Sequence, residues 1–279
     1  QQLDNFCEIV EIFSDDKTLV PKIKAVSEKL KNSLIDAVKE LHPEHVFKVP
    51  EEKSQACIQF LQEYLNKNGL VFSTNYDLLL YWVLMRNGAD NAIDGFGRDL
   101  ETDLDDGHYV EPDDLEYSEL RWGKYKEEQT VYYLHGTLPI FDTGINIVKA
   151  QYDEEHYLLQ NVKDRIDKKE YPIFVTAGNG KEKLTHIMHN KYLSFCYDQL
   201  CNIEGSLVTF GFNFGEYDTH IIDAINVAAK MGRKIPDKLW SVYIGVYSDE
   251  NLKHIIEIKD KFKCKVTPYN ARTANIWGT

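Results

Sequence analysis

Six short runs of apolar and aromatic residues constrain this chain most: LVFST (70–74), TVYYLH (130–135), YPIFVT (171–176), GSLVTFGF (205–212), LWSVYIGV (239–246) and CKVTPY (264–269). Each is too short for a buried helix and too continuously apolar for a strand with one face in water, so each reads as a strand covered on both sides. The stretches between them read as helices: about Asp77 to Arg86, Tyr152 to Asp167, Lys181 to Asn202, Tyr217 to Met231 and Asp249 to Phe262, the last with Ser248 as N-cap. Strands joined by helical crossovers make a parallel sheet. The expected fold class is therefore α/β, a Rossmann-like, mostly parallel sheet of about six strands with helices on both faces.

A helical elaboration precedes the sheet. Leu19, Ile23, Val26, Leu30, Leu34, Val38 and Leu41 recur every three or four residues and predict an amphipathic helix from about Lys17 to Leu41. Pro43 and Pro50 break it, and a second helix, about Lys53 to Asn66, ends at Asn68-Gly69. Without repeats or low-complexity linkers, residues 1–279 read as one domain, with 1–68 helical and 69–279 holding the sheet. No strand run with a Gly-rich turn stands before the first helix.

Charge excludes whole classes of function. Of 279 residues, 32 are Lys or Arg and 45 are Asp or Glu, a net charge of −13, which disfavours a nucleic-acid backbone or an anionic membrane surface as partner. Ten of the acidic residues lie between Asp99 and Glu119, with no Lys or Arg among them, so the acidity belongs to one insertion. Its plain reading is a solvated loop; a docking patch for a basic protein is the sharper one. No apolar run approaches the roughly 20 residues that cross a bilayer, and the first residues lack a signal-peptide pattern, so a cytoplasmic protein is expected. The five cysteines form no Cys-x-x-Cys pair, which supports neither a disulfide framework nor a four-Cys zinc site.

Ligands of open parallel sheets bind beyond the carboxyl ends of the strands. Three clusters fall there: Ser73-Thr74-Asn75-Tyr76-Asp77, His135-Gly136, and the loop from Gly211 to His220. Each has a plain explanation. Asn75 and Asp77 suit a turn and a helix cap, His135 a core histidine, Gly211 and Gly215 relief of backbone crowding, and Asp218 another cap. Together they bring an amide, carboxylates, an imidazole and a glycine-spaced loop to one rim. His220 would support that rim from beneath, and His186 and His189 read as surface residues.

The order STNYD, YYLHG and GFNFGEYDTH is similar to the TQNID, HG and GTS order of the sirtuins, and more closely to bacterial sirtuin-like proteins in which TNYD and HG recur. Segments such as LHPEHVFKVPEEKS, DGFGR, KYLSFCYDQL and FGEYDTHIIDAI resemble a bacterial family of unknown function within that group. The resemblance implies an NAD pocket, with His135 as catalytic base, Asn75 holding the nicotinamide-side ribose and a water, and Asp77 holding the carboxamide. Thr74, Gly136, Gly211, Asn213, Asp218 and Gly245 complete the implied cofactor-binding set, although of the Gly-Thr-Ser turn only Gly211 is identical. The zinc ribbon of deacylating sirtuins is missing, since Thr137 to Tyr171 holds no cysteine, so no zinc and no other metal is expected.

These residue types suit NAD hydrolysis. The ribose–nicotinamide bond breaks through a cationic, oxocarbenium-like state, and nicotinamide leaves neutral, so no general acid is required. An imidazole can take the proton of water or a ribose hydroxyl, and an Asn amide both donates and accepts, so it can hold that water. The expected function is an NAD glycohydrolase that releases nicotinamide, with antiphage defence the role implied by resemblance to sirtuin-like domains of bacterial defence systems. The alternative is a non-catalytic module that binds NAD or ADP-ribose, a protein partner or a second copy of itself; deacylation or ADP-ribosyl transfer is a third reading.

Overall fold

The structure, a computed structural model, describes residues 10, 18–26, 29, 33, 43, 46–98, 120–150, 158–168, 170–175, 178–230 and 238–277. The acidic insertion 99–119 and most of the expected helix 17–41 lie outside them. Residues 19–26 are helical, but Leu19 is 38% and Val26 53% exposed, so this part of the apolar stripe is not buried.

Helix α1 (Glu51–Leu65) starts after Pro50 with Glu51 and Glu52 in its first turn, where carboxylates suit the helix dipole, and buries Cys57, Ile58, Leu61 and Leu65. Asn68, at φ +58°, takes the left-handed turn that ends it, and the Gly69 N–H donates to the Tyr64 carbonyl. Strand β1 (Val71–Ser73) follows, then α2 (Leu79–Arg86), with Trp82, Val83 and Leu84 buried.

All six expected runs contain a strand, but they do not share one sheet. After β2 (Phe96–Gly97) and β3 (Leu120–Trp122), strand β4 (Val131–Tyr133) lies parallel to β1 in register Val71 to Val131. The chain then runs through β5 (Gly136–Asp142) and β6 (Ile147–Lys149), a hairpin turned at Gly144 with φ +83°. Helix α3 (Leu158–Asp167) leads to β7 (Tyr171–Phe174). Helices α4 (Gly180–His189) and α5 (Lys191–Cys201) lead to β8 (Gly205–Thr209), and α6 (Thr219–Ala228) lies between that strand and β9 (Leu239–Val246). Helix α7 (Asp249–Ile258) and β10 (Lys265–Asn270) close the series.

The fold is mixed α/β, and the expected single parallel sheet is corrected. Strands β8, β9 and β10 form a parallel sheet of order β10-β9-β8, β1 and β4 a parallel pair, and the largest sheet is five-stranded, antiparallel where its pairing is seen, with order β2-β3-β6-β5-β7. The YPIF run pairs antiparallel with β5, not with the parallel strands. Pro172 has a reason to be there: it lacks an N–H, and β7 is the edge of its sheet, as β10 with Pro268 is of another. The helix expected over 181–202 is two, broken at Asn190, whose side chain accepts from the N–H groups of Tyr192 and Leu193. Ser248 does cap α7, accepting from the Asn251 N–H at 3.2 Å.

One large core joins α1, β1, β4, α5, α6 and β9 through residues such as Ile58, Val131, Cys196, Ile225 and Val242. A smaller one packs Leu78, Trp82, Phe141 and Val148 under the antiparallel sheet. Among the described residues, no helix is long and apolar enough to cross a membrane.

Candidate functional site

The turn after β1 is clamped from two sides. The Ser73 hydroxyl accepts the Asn75 N–H at 3.1 Å, and an Asp77 carboxylate oxygen accepts the Leu79 N–H at 2.9 Å, which fixes the start of α2. Thr137 donates its hydroxyl to the carbonyls of Tyr76 and Asp77, both at 3.0 Å, and Tyr76 donates to the Val175 carbonyl at 2.8 Å. This bonding ties the turn to β5 and to the end of β7 and leaves the Asn75 side chain exposed.

His135, just beyond β4, is 3% exposed, and His220, in the first turn of α6, is 1% exposed. Their Nε2 atoms are 2.8 Å apart, and the ring of Tyr76 stacks on His135 at 6.3 Å. Both have a pKa lowered to about 4, chiefly by burial; the neighbouring His135 also lowers that of His220, the Lys183 ammonium lowers both, and the Asp218 carboxylate opposes the shift. His135 also hydrogen-bonds the Thr74 backbone, which favours its protonated form and opposes the shift as well. That bond places the His135 proton on Nδ1, because Nε2 faces His220. His135 Nε2 then accepts from His220 Nε2–H, and His220 Nδ1 keeps a bare lone pair, buried and without a partner.

Beside the two rings Lys183 and Asp218 form an ion pair of 2.8 Å, and the Tyr197 hydroxyl donates to the His220 carbonyl at 2.9 Å. Lys183 reaches Asp218 because α4 and α6 touch at their starts: a Cβ on Gly180 would lie 2.0 Å from the Thr219 hydroxyl.

A cavity of about 700 Å³ opens between the ends of β1 and β8. Thr74, Asn75 and Asp77 line it from one side, Thr209, Gly211 and Phe212 from the other. Gly211 supplies a left-handed turn at φ +68°. Of the residues expected to act on a ligand, Thr74, Asn75, Asp77 and Gly211 therefore share one space. His135 and Asp218 do not line that cavity; they meet each other behind the Thr74 turn. Gly136 serves packing, since at φ +79° a Cβ would come within 1.8 Å of the Ile173 carbonyl oxygen. Gly245 is packed against the Thr209 carbonyl and the Tyr269 ring, and Asn213 accepts from the Asn251 amide at 3.4 Å beside the start of α7.

Lys183 is the participant that sequence reasoning missed. Its signal was faint: one lysine four positions before the buried Ile187 on the same helix face. His135, Asp218 and His220 are also, among the described residues, the one group whose ligand atoms lie within 4.8 Å of one another, as a metal would require. A tetrahedral zinc would hold its nitrogens about 3.3 Å apart. The 2.8 Å here, with Lys183 already on Asp218, suits a hydrogen-bonded neutral pair better.

A family model described as "Domain of unknown function (DUF4917)" matches residues 10–277. No curated protein matches the chain.

Proposed function

The chain belongs to the DUF4917 family, and from the geometry of its strand ends we propose that it binds NAD or a related dinucleotide at the rim shared by β1 and β8 and hydrolyses the nicotinamide–ribose bond. The observation that carries this reading is that Thr74 and Asn75 line the same cavity as Gly211, while His135 hydrogen-bonds the Thr74 backbone from behind. In this reading the two parallel blocks are halves of one doubly wound sheet, and the cavity mouth is its ligand crevice.

Asn75 is exposed and free to hold a water against the ribose. Water adds to the sugar carbon as the bond to nicotinamide breaks, so NAD and water give nicotinamide, ADP-ribose and a proton. The neutral imidazole pair adds no positive charge beside a cationic transition state, and His135 is the base that takes that proton once its ring faces the mouth. Catalysis requires ligand entry to turn His135 toward the mouth, because in this geometry its ring nitrogens are both engaged. On the resemblance to sirtuin-like domains of bacterial defence systems, the reaction serves to deplete NAD during phage infection.

The burial of His135 favours a second reading, a module that binds NAD or ADP-ribose without turning it over. One experiment separates the two. Nicotinamide release from NAD is followed beside calorimetric binding of NAD, for the wild type, Asn75→Ala and His135→Ala. Release lost at least tenfold in both variants supports the hydrolase; binding without release supports the module; release that survives both substitutions removes the site.

A further inference from the structure

The base of the proposed reaction is blocked in this geometry. His135 bonds the Thr74 backbone through Nδ1, and its Nε2, the nitrogen left to take a proton, accepts from His220 Nε2–H at 2.8 Å. The two rings lie 5.0 Å apart and 31° from parallel, and Tyr76 stacks on the His135 ring. An imidazole with both nitrogens engaged cannot draw a proton from water or a ribose hydroxyl.

His220 does not give this bond up easily. It stands in the first turn of α6, where the Tyr197 hydroxyl fixes its carbonyl at 2.9 Å and the close approach of Gly180 to Thr219 sets the neighbouring backbone. Its ring is 1% exposed, so water does not replace a lost partner. Shifting the proton to Nδ1 gives no alternative: that atom is buried without a partner, and the Asp218 carboxylate beside the rings is held by the Lys183 ammonium at 2.8 Å. Turning His135 toward the mouth therefore breaks a hydrogen bond and also leaves a buried N–H without an acceptor, which is the heavier of the two penalties.

We infer that His220 is a positioning residue that latches His135 in this blocked orientation, so that hydrolysis begins only when a bound dinucleotide draws the ring out. The inference rests on the hydrolase reading and adds to it the group that restrains the base. Lys183 serves the same end, since by holding Asp218 it leaves the His220 proton on Nε2, where it faces His135.

Two measurements test the latch. Long-range proton–nitrogen spectra of protein labelled at the histidine nitrogens, near pH 7, read the tautomers, with the two rings assigned by their loss in His135→Gln and His220→Gln. Protons are expected on His135 Nδ1 and His220 Nε2; a proton on His135 Nε2 overturns the latch. Nicotinamide release from NAD is then compared for the wild type, His220→Phe and His220→Gln. Phenylalanine keeps a ring and removes the donor, and is expected to raise kcat about three- to tenfold, the factor that one net hydrogen bond represents, with KM changed less than about twofold. Glutamine carries its amide N–H near the Nε2 position and is expected to cancel at least half of that gain. If His220→Phe does not fold, His220→Asn replaces it, because its shorter amide stops before that position; the same rise in kcat is expected. A histidine that only fills space predicts no gain in any of these variants, so a kcat at or below that of the wild type in folded His220→Phe or His220→Asn overturns the latch alone. No release from any form overturns the hydrolase reading and the latch with it.

Discussion

His135 and His220 make an imidazole pair that neither residue could make alone, and the pair carries a pH signature. Folded, each has a pKa of about 4, chiefly because burial penalises the charged ring. Unfolded, each returns to about 6.5. Acidification therefore protonates the unfolded chain first, and the stability this pair allows is complete above about pH 6.5 and falls steadily toward about pH 4. The urea midpoint is expected to drop between about pH 7 and about pH 5, and less steeply in His220→Gln, which removes one of the two titrating rings. A wild-type midpoint that is flat over that interval would contradict a pair held neutral. In the sequence His135 stood out because an apolar run delivers it to a strand end, and His220 because it follows a glycine-spaced loop. Their contact across 85 positions had no local signal, since it depends on how the start of α6 meets the end of β4.

At the scale of elements, period and composition carried most of the information. Every expected strand run contains a strand, and α1, α2 and α7 begin within two residues of their expected starts. Pairing was less legible. A four-residue run such as YPIF reads the same in a parallel or an antiparallel sheet, and only Pro172 hinted at an edge. The strand β5 went unseen because the apolar run of β4 continues into it; the break is Gly136, at a positive φ. The split between α4 and α5 depends on one side chain, as Asn190 caps α5 and donates its amide to Asp142 at 3.1 Å. Replacing it with alanine removes both bonds. Asn190→Ala is expected to cost about 1 kcal/mol, measurable as a lower denaturant midpoint with an unchanged slope. No loss of stability would mean that the helix break is set by packing between α4 and α5 alone.

For the whole molecule the question is what holds the β1–β4 pair to the β8–β9–β10 sheet. Below the mouth the two blocks share the large core, in which Ile58 and Val131 belong to one and Ile225 and Val242 to the other. At the mouth, the Thr74 and Gly211 turns face a cavity of about 700 Å³. A dinucleotide bound there touches both blocks, so its binding energy adds to the folded state and is absent from the unfolded one. At 100 times its dissociation constant a ligand adds about 2.7 kcal/mol, which for a chain of this size corresponds to a rise in Tm of roughly 4 to 6 °C. The expected outcome is that NAD raises the Tm by that amount in the wild type. In Asn75→Ala, measured at the same NAD concentration, the rise is expected to shrink by at least half, while the Tm without NAD stays the same because the Asn75 side chain is exposed. ADP-ribose tested in parallel reads the other half of the ligand. A rise with ADP-ribose that Asn75→Ala leaves intact places Asn75 on the nicotinamide side. An NAD rise unaffected by Asn75→Ala moves the ligand away from this rim.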